Sequence, residues 1–291
     1  RNIVAHLIAN SFTKLPPAFK FLVTCRPDSG VTNLFRSHTA IQHRFLNIAT
    51  GSSDDIAVYI DNRLATIREA HPFLEPGWPG QDRILRLIEL SGNLFIWAAT
   101  ALDFVEGKNS FQPRTRLEAL LNAPFQRGNL RQLYTLALRS GGDWGDEIFR
   151  RPATNVLAVI ALAKAPLTAT AIDSILALEH GITARVLDCL GSVIQWSDGF
   201  PARVLHASFG DFLMQPDVPD QPWSFDVAAA KKALASGCLT VLQKCLKFNL
   251  YEHPNSHLLN SQVPNLTGSH LPEVLVYACQ FWGGASGRLS I

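Results

Sequence analysis

Apolar residues recur every three or four positions along most of the chain, and this spacing predicts helices. The polar residues 52–55 offer N-cap oxygens and first-turn carboxylates, and an apolar stripe on one helical face follows them. The stripe consists of Ile56, Tyr59, Ile60, Leu64 and Ile67. The same spacing predicts further helices over 2–12, 81–90, 94–106, 115–121 and 130–139. Residues 51–141 are therefore predicted to form a helical bundle.

One short apolar segment has a different pattern. Residues 18–25 are rich in aromatic and β-branched side chains, with two prolines before them and Arg26-Pro27 after them. This favours a buried strand that ends at Arg26, because Pro27 cannot donate a backbone hydrogen bond and keeps the preceding residue out of the helical region. A second short strand is predicted at 43–48. Alternating helices and strands are typical of a parallel α/β sheet, so we expect residues 1–50 to be the last part of one.

The segment from about 144 to 214 combines helices with a hairpin. Three helices are predicted over 147–163, 167–178 and 183–190, and two β-like runs follow on either side of an Asp198-Gly199 turn. This order is typical of a winged helix, which we place at 142–215. A polar, proline-containing linker over 215–221 leads to a predicted helical domain at 216–291. The fold class predicted for the whole chain is mainly α.

Composition and charge exclude several classes of protein. Hydrophobic residues make up 47% of the 291 residues and charged residues 17%, which excludes a disordered chain. A net charge of +2 gives no strong field toward nucleic acid or a membrane. The apolar run at 156–163 is far shorter than the ~20 residues that span a bilayer. We therefore expect neither a membrane partner nor a nucleic-acid partner.

The five cysteines are scattered and contain no Cys-x-x-Cys pair. Their odd number and wide spacing favour reduced thiols in a cytoplasmic protein over a disulfide framework or a zinc site. No secretory signal opens the chain. The chain begins with Arg1 rather than Met, inside a helical pattern, so we expect a fragment of a longer protein.

The motifs of common catalytic sites are absent from the sequence. There is no phosphate-binding Gly-x-x-x-x-Gly-Lys-Ser/Thr loop, no Gly-x-Ser-x-Gly elbow and no His-Glu-x-x-His pair. We therefore expect no catalytic residues, no metal site and no enzymatic activity in this chain alone. The predicted third helix, 183–190, carries one arginine and one aspartate, which is too little positive charge for a DNA-binding surface.

Two residues are candidate binding residues. Arg26 follows the predicted strand, where open α/β sheets place their ligand sites, and its guanidinium can hold a phosphate with two hydrogen bonds. Its alternative interpretation is a surface arginine paired with a carboxylate. His206 follows the second β-like run, and its alternative interpretation is a hydrogen-bonded structural histidine.

Five sequence blocks, in order, resemble those of fungal NACHT-type signal-transducing NTPases of the STAND class. FLVTCRP at 21–27 resembles the Leu-Ile/Val-Thr-Ser-Arg-Pro segment of that family, and RVLHASFGDFL at 203–213 is similar to its Arg-x-Leu-His-x-Ser-Phe block. The other three blocks are DIAVYI at 55–60 with Trp78-Pro79, GNLFIWAAT at 92–100 and YACQFW at 277–282. The likeness covers nearly the whole chain.

The resemblance implies roles for both candidate residues. Arg26 matches the sensor arginine that approaches the nucleotide γ-phosphate, and His206 matches the winged-helix histidine that holds ADP in the closed state. Gly92-Asn93-Leu94 occupies the place where many relatives have Gly-x-Pro beside adenine, and Leu94 departs from that pattern. Cys25 replaces the usual serine. By this resemblance, residues 1–50 are the end of a nucleotide-binding α/β domain.

The resemblance further implies a nucleotide-dependent switch in fungal non-self recognition or programmed cell death. The intact family binds ATP or ADP with Mg²⁺ through a phosphate-binding loop and an acidic strand that precede the matching region. The expected partners are that N-terminal nucleotide-binding half and, after activation, further copies of the same protein; we expect this chain alone to bind no cofactor. The alternatives are a stand-alone protein-interaction module without nucleotide chemistry and a DNA-binding winged-helix protein.

Overall fold

A computed structural model describes residues 3–24, 29–39, 41, 42, 44, 53–107, 112–215, 221–248, 250 and 271–285. The chain divides into two compact units, 1–51 and 52–291. The described part of the first unit contains helix α1 (Ile3–Ser11), a single 3-10 turn (Phe12–Lys14) and helix α2 (Ser29–Arg36). Helix α1 confirms the helix predicted over 2–12.

The buried strand predicted over 18–25 is wrong for the residues that the structure describes. Residues 19–24 have no regular secondary structure, and Phe19, Phe21 and Leu22 are exposed, Leu22 to 94%. A strand is stable only where a neighbouring strand pairs with its backbone, and the described residues of this unit contain no such neighbour. The Phe21 ring packs instead on Phe12, with 4.5 Å between ring centroids. The strand predicted over 43–48 lies outside the described residues except for Arg44, which is in no strand.

The second unit begins with five helices, which lie close to the positions that the apolar spacing predicts. The last of them begins at a side-chain cap, because Asn129 accepts from the backbone N–H of Gln132. The helices are α3 (Ser53–Ala70), α4 (Gln81–Ser91), α5 (Phe95–Glu106), α6 (Pro113–Asn122) and α7 (Leu130–Ser140).

The next segment has three helices and a hairpin, in the predicted order. Its elements are α8 (Glu147–Leu162), α9 (Ala169–Leu176), α10 (Ile182–Cys189), β1 (Ile194–Gln195) and β2 (Arg203–Val204). Strands β1 and β2 pair antiparallel, and Leu167, between α8 and α9, forms an isolated bridge with Ala202. Asp173 is buried in α9 and accepts 2.8 Å hydrogen bonds from the N–H groups of Gly181 and Thr183, which fixes the start of α10.

Three helices complete the described chain: α11 (Ala207–Leu213), α12 (Val227–Cys245) and α13 (Glu273–Ala285). Helix α13 packs along α12 and contacts α9. The Glu273 carboxylate accepts from the backbone N–H and the hydroxyl of Thr168, at the start of α9. The Tyr277 hydroxyl accepts from the N–H of Lys164 at 3.3 Å. Helix α13 is thereby held on the turn between α8 and α9.

One continuous apolar core runs through the second unit, from Ile56 in α3 to Ala278 in α13. It passes the predicted domain boundaries at 141 and 215 without interruption. The prediction of a mainly α chain is confirmed, since the described residues contain one two-stranded sheet and are otherwise helical or irregular. None of the described helices has the length and apolarity that crossing a bilayer requires.

Candidate functional site

His206 lies between β2 and α11, at the N-cap of that helix. Its backbone is extended (φ −149°, ψ 144°), as is usual for the residue before a helix. The backbone N–H of Ser208 donates to Nδ1 of the imidazole at 3.2 Å. The ring is therefore held to the first turn of α11, and the interpretation of His206 as a hydrogen-bonded histidine is confirmed.

Two hydroxyl groups extend this cap into a chain of hydrogen bonds. Oγ of Ser208 lies 2.7 Å from Nδ1 of His206, and Oη of Tyr134 lies 2.8 Å from that Oγ. With Nδ1 as the acceptor of that backbone N–H, we assign the Ser208 hydroxyl as a second donor to Nδ1. The Ser208 oxygen then accepts from Tyr134, and the neutral ring carries its proton on Nε2. We call Tyr134, Ser208 and His206 the relay.

The relay joins two helices that are far apart in sequence. Tyr134 is on α7, 74 residues before Ser208 on α11, and only 2% of its surface is exposed. Its ring makes an edge contact with Phe209 at a centroid distance of 5.1 Å and lies 5.5 Å from the ring of Phe212. Aromatic packing and the hydrogen bond together connect α11 to Tyr134 on α7.

Arg26, the other candidate, lies outside the described residues, so its role stays a prediction. The Gly92-Asn93-Leu94 segment joins α4 to α5, with positive φ at Gly92 (57°) and Asn93 (63°). A Cβ at Gly92 would lie 2.9 Å from backbone atoms of Gly128, so close packing accounts for that glycine. Trp97 is fully buried, as the sequence predicts for a core residue.

Sequence analysis missed a charged cluster between α3 and α5. Arg63 donates from Nη2 to Oδ1 of Asp103 and to Oε2 of Glu106, both at 2.8 Å. Burial alone would lower the pKa of Arg63, but the two carboxylates more than offset it and raise that pKa. Burial raises the pKa of the neighbouring Tyr59 hydroxyl. One guanidinium on α3 thus binds two carboxylates on α5 and holds the two helices together.

The spacing of these residues is a signal from which part of the cluster could have been found. Tyr59 and Arg63 are four residues apart and Asp103 and Glu106 three apart, so each pair shares a helical face. That the two faces meet depends on the packing of α3 against α5. Among the described residues, no group of three or more histidine, cysteine or acidic side chains is arranged to hold a metal ion.

The chain matches no protein-family model, no curated protein and no solved structure. The resemblance to NACHT-type NTPases therefore stays a prediction from the five sequence blocks.

Proposed function

We propose that this chain is the control part of a NACHT-type nucleotide switch, in which His206 contacts the phosphates of bound ADP. The order of elements from α8 to β2 supports a winged helix, and so does the Leu167–Ala202 bridge, which adds a third short β segment to the hairpin. In this proposal the helical bundle and the winged helix close over a nucleotide that is held mainly by the N-terminal half of the protein.

The observation that carries the proposal is the orientation of the His206 imidazole. Its Nδ1 accepts from Ser208, so the neutral ring has its N–H at Nε2. An imidazole N–H donates well to anionic oxygens such as those of a diphosphate, and a ring held at Nδ1 loses less rotational freedom when it makes such a contact. Binding of ADP would then favour the closed arrangement of the switch over the open one.

The chain's own contribution is binding and orientation rather than hydrolysis. In the proposed intact protein, the phosphate-binding loop and the acidic strand hold the phosphates and Mg²⁺, and Arg26 reaches the γ-phosphate of ATP. Exchange of ADP for ATP removes the contact at His206 and releases the winged helix, so that copies of the protein associate. The signalling role in fungal non-self recognition or cell death follows from the resemblance in sequence.

The test replaces His206 with alanine in the protein expressed from the complete reading frame that contains this chain. Loss of a hydrogen bond to a charged group should accelerate ADP release roughly 10- to 100-fold, measured with a fluorescent ADP analogue in stopped flow. His180→Ala, which removes an exposed histidine just before α10, is the matched control and should leave the rate unchanged. Equal release rates for wild type and His206→Ala would refute the role of His206.

A second candidate function is a protein-interaction module without nucleotide chemistry. The exposed apolar side chains of residues 19–24 favour it, with Leu22 94% and Phe19 60% exposed. If these residues bind another protein molecule, light scattering of the 291-residue chain should show a concentration-dependent complex. Leu22→Asp should abolish that complex, whereas a monomer at all concentrations would argue against self-association through this segment.

A further inference from the structure

The Tyr134 hydroxyl and Nδ1 of His206 both contact the Ser208 hydroxyl, at 2.8 and 2.7 Å. We propose that Tyr134 is a positioning residue for His206: its hydroxyl fixes the Ser208 hydroxyl, which in turn fixes the ring and its Nε2 proton. The part of this inference that concerns nucleotide rests on the proposed function. The part that concerns the ring depends only on the relay itself.

The direction of each hydrogen bond supports this role. The N–H of Ser208 can only donate, so Nδ1 is an acceptor, and the Ser208 hydroxyl can satisfy Nδ1 only by pointing its proton there. A serine hydroxyl can turn its proton from one acceptor to another, and a donor bound to its oxygen restricts that rotation. The Tyr134 hydroxyl, 2.8 Å away, donates to that oxygen and selects the rotamer in which Ser208 faces the imidazole.

The packing around Tyr134 allows the role of its hydroxyl to be tested separately from the role of its aromatic ring. The ring packs on Phe209 and Phe212, and a phenylalanine at position 134 would fill the same space. The hydroxyl is on an almost fully buried residue, where a polar group is costly unless it is hydrogen-bonded. In a chain of hydrogen bonds, each bond also polarises the next.

The relay therefore couples the position of helix α7 to the state of His206. A displacement of α7 from α11 removes the donor to Ser208 and frees its hydroxyl to rotate away from Nδ1. The imidazole is then less firmly held, and its two neutral tautomers become closer in population. Through the Tyr134–Ser208 contact, a movement of α7 therefore changes how firmly the His206 ring is held.

The first experiment examines the ring in the 291-residue chain without nucleotide. Long-range proton–nitrogen NMR correlations, assigned through His206→Gln, report which ring nitrogen carries the proton. We expect the Nε2–H tautomer in wild type and a larger share of the Nδ1–H tautomer in Tyr134→Phe. In Ser208→Ala, where only the backbone N–H of residue 208 still donates to Nδ1, that share should be at least as large. Tyr59→Phe, which removes a hydroxyl near Arg63, is the matched control and should keep the wild-type His206 signals. Identical His206 signals in wild type and Tyr134→Phe would overturn the proposal.

The second experiment measures release of a fluorescent ADP analogue from the protein of the complete reading frame. Loss of one neutral hydrogen bond in Tyr134→Phe should accelerate release roughly three- to tenfold. If Tyr134 acts through His206, the Tyr134→Phe/His206→Ala double variant should release ADP no faster than His206→Ala alone. Accelerations that multiply in the double variant would overturn the proposal. If wild type binds no ADP, the proposed function fails, and the NMR result still decides the role of Tyr134.

Discussion

At the scale of single residues, burial changes the chemistry of side chains that look ordinary in the sequence. Cys238 on α12 is fully buried, and burial raises the pKa of its thiol from 9.0 to about 11. A thiol held protonated in this way is a poor nucleophile. It acts as a small apolar core residue, as the cysteine pattern of the sequence suggests.

Cys238 should make the stability of the fold depend on pH above 9. Below pH 9 the thiol is protonated in both the folded and the unfolded chain, so its contribution to stability is fully present. Between pH 9 and about 11 the unfolded chain loses its proton first, and the free energy of unfolding should fall by up to about 3 kcal/mol.

Urea denaturation across this pH range should show the fall in wild type and a shallower one in Cys238→Ala. Cys279→Ala, which changes an exposed cysteine on α13, serves as the control for loss of a thiol as such. Parallel pH profiles for wild type and Cys238→Ala would show that the thiol ionises freely in the folded protein.

At the scale of helices, close backbone contact determines how α12 packs. Gly237 faces the end of α9, and a Cβ built at this glycine would overlap the carbonyl oxygen of Ile175. Gly283 on α13 is exposed and has nothing within 4 Å of such a Cβ. The sequence presents both as glycines inside helices, which intrinsic propensity disfavours to the same extent.

The same substitution at these two glycines should therefore have opposite effects. Gly237→Ala forces α12 away from α9 and should lower the free energy of unfolding by about 1–3 kcal/mol, despite the better helix propensity of alanine. Gly283→Ala should be neutral or stabilising by up to about 1 kcal/mol. Thermal and urea denaturation measure both effects, and equal changes for the two variants would contradict the packing of α12 on α9.

At the scale of the whole molecule, the second unit has one core although its sequence suggests three parts. Leu117 in α6 and Leu187 in α10 are both fully buried in this core. A core without a break favours one cooperative unfolding transition. All six tryptophans lie after residue 51, so their fluorescence reports on this unit alone.

Substitutions in different parts of that core should shift a single transition. Leu117→Ala and Leu187→Ala should each lower the free energy of unfolding by about 2–5 kcal/mol, and tryptophan fluorescence and circular dichroism should give coincident curves. If the parts at 51–141 and 142–215 fold independently, two transitions should appear. Each variant would then shift only the transition of the part that contains it.

Most helices of the second unit and its hairpin were predictable from the sequence, whereas α11 was not predicted. Helices α4, α5 and α7 begin and end within one or two residues of their predicted positions, because periodic apolar residues, caps and glycines act over a few positions. The Asp198-Gly199 turn between β1 and β2 is local in the same way. His206 could be singled out by its place after a β run, although nothing in its neighbourhood revealed the relay.

The contacts between residues that are distant in sequence depend on tertiary packing and could not be predicted from local pattern. The apolar segment 19–24 has the composition of a strand, but strand formation depends on a partner elsewhere in the chain. Tyr134 meets Ser208 across 74 residues, and Arg63 meets Asp103 across 40. Such contacts depend on how helices pack, and many packings satisfy the same apolar stripes. The sequence therefore identified most of the helices and one residue of the candidate site, and helix packing determined what surrounds that residue.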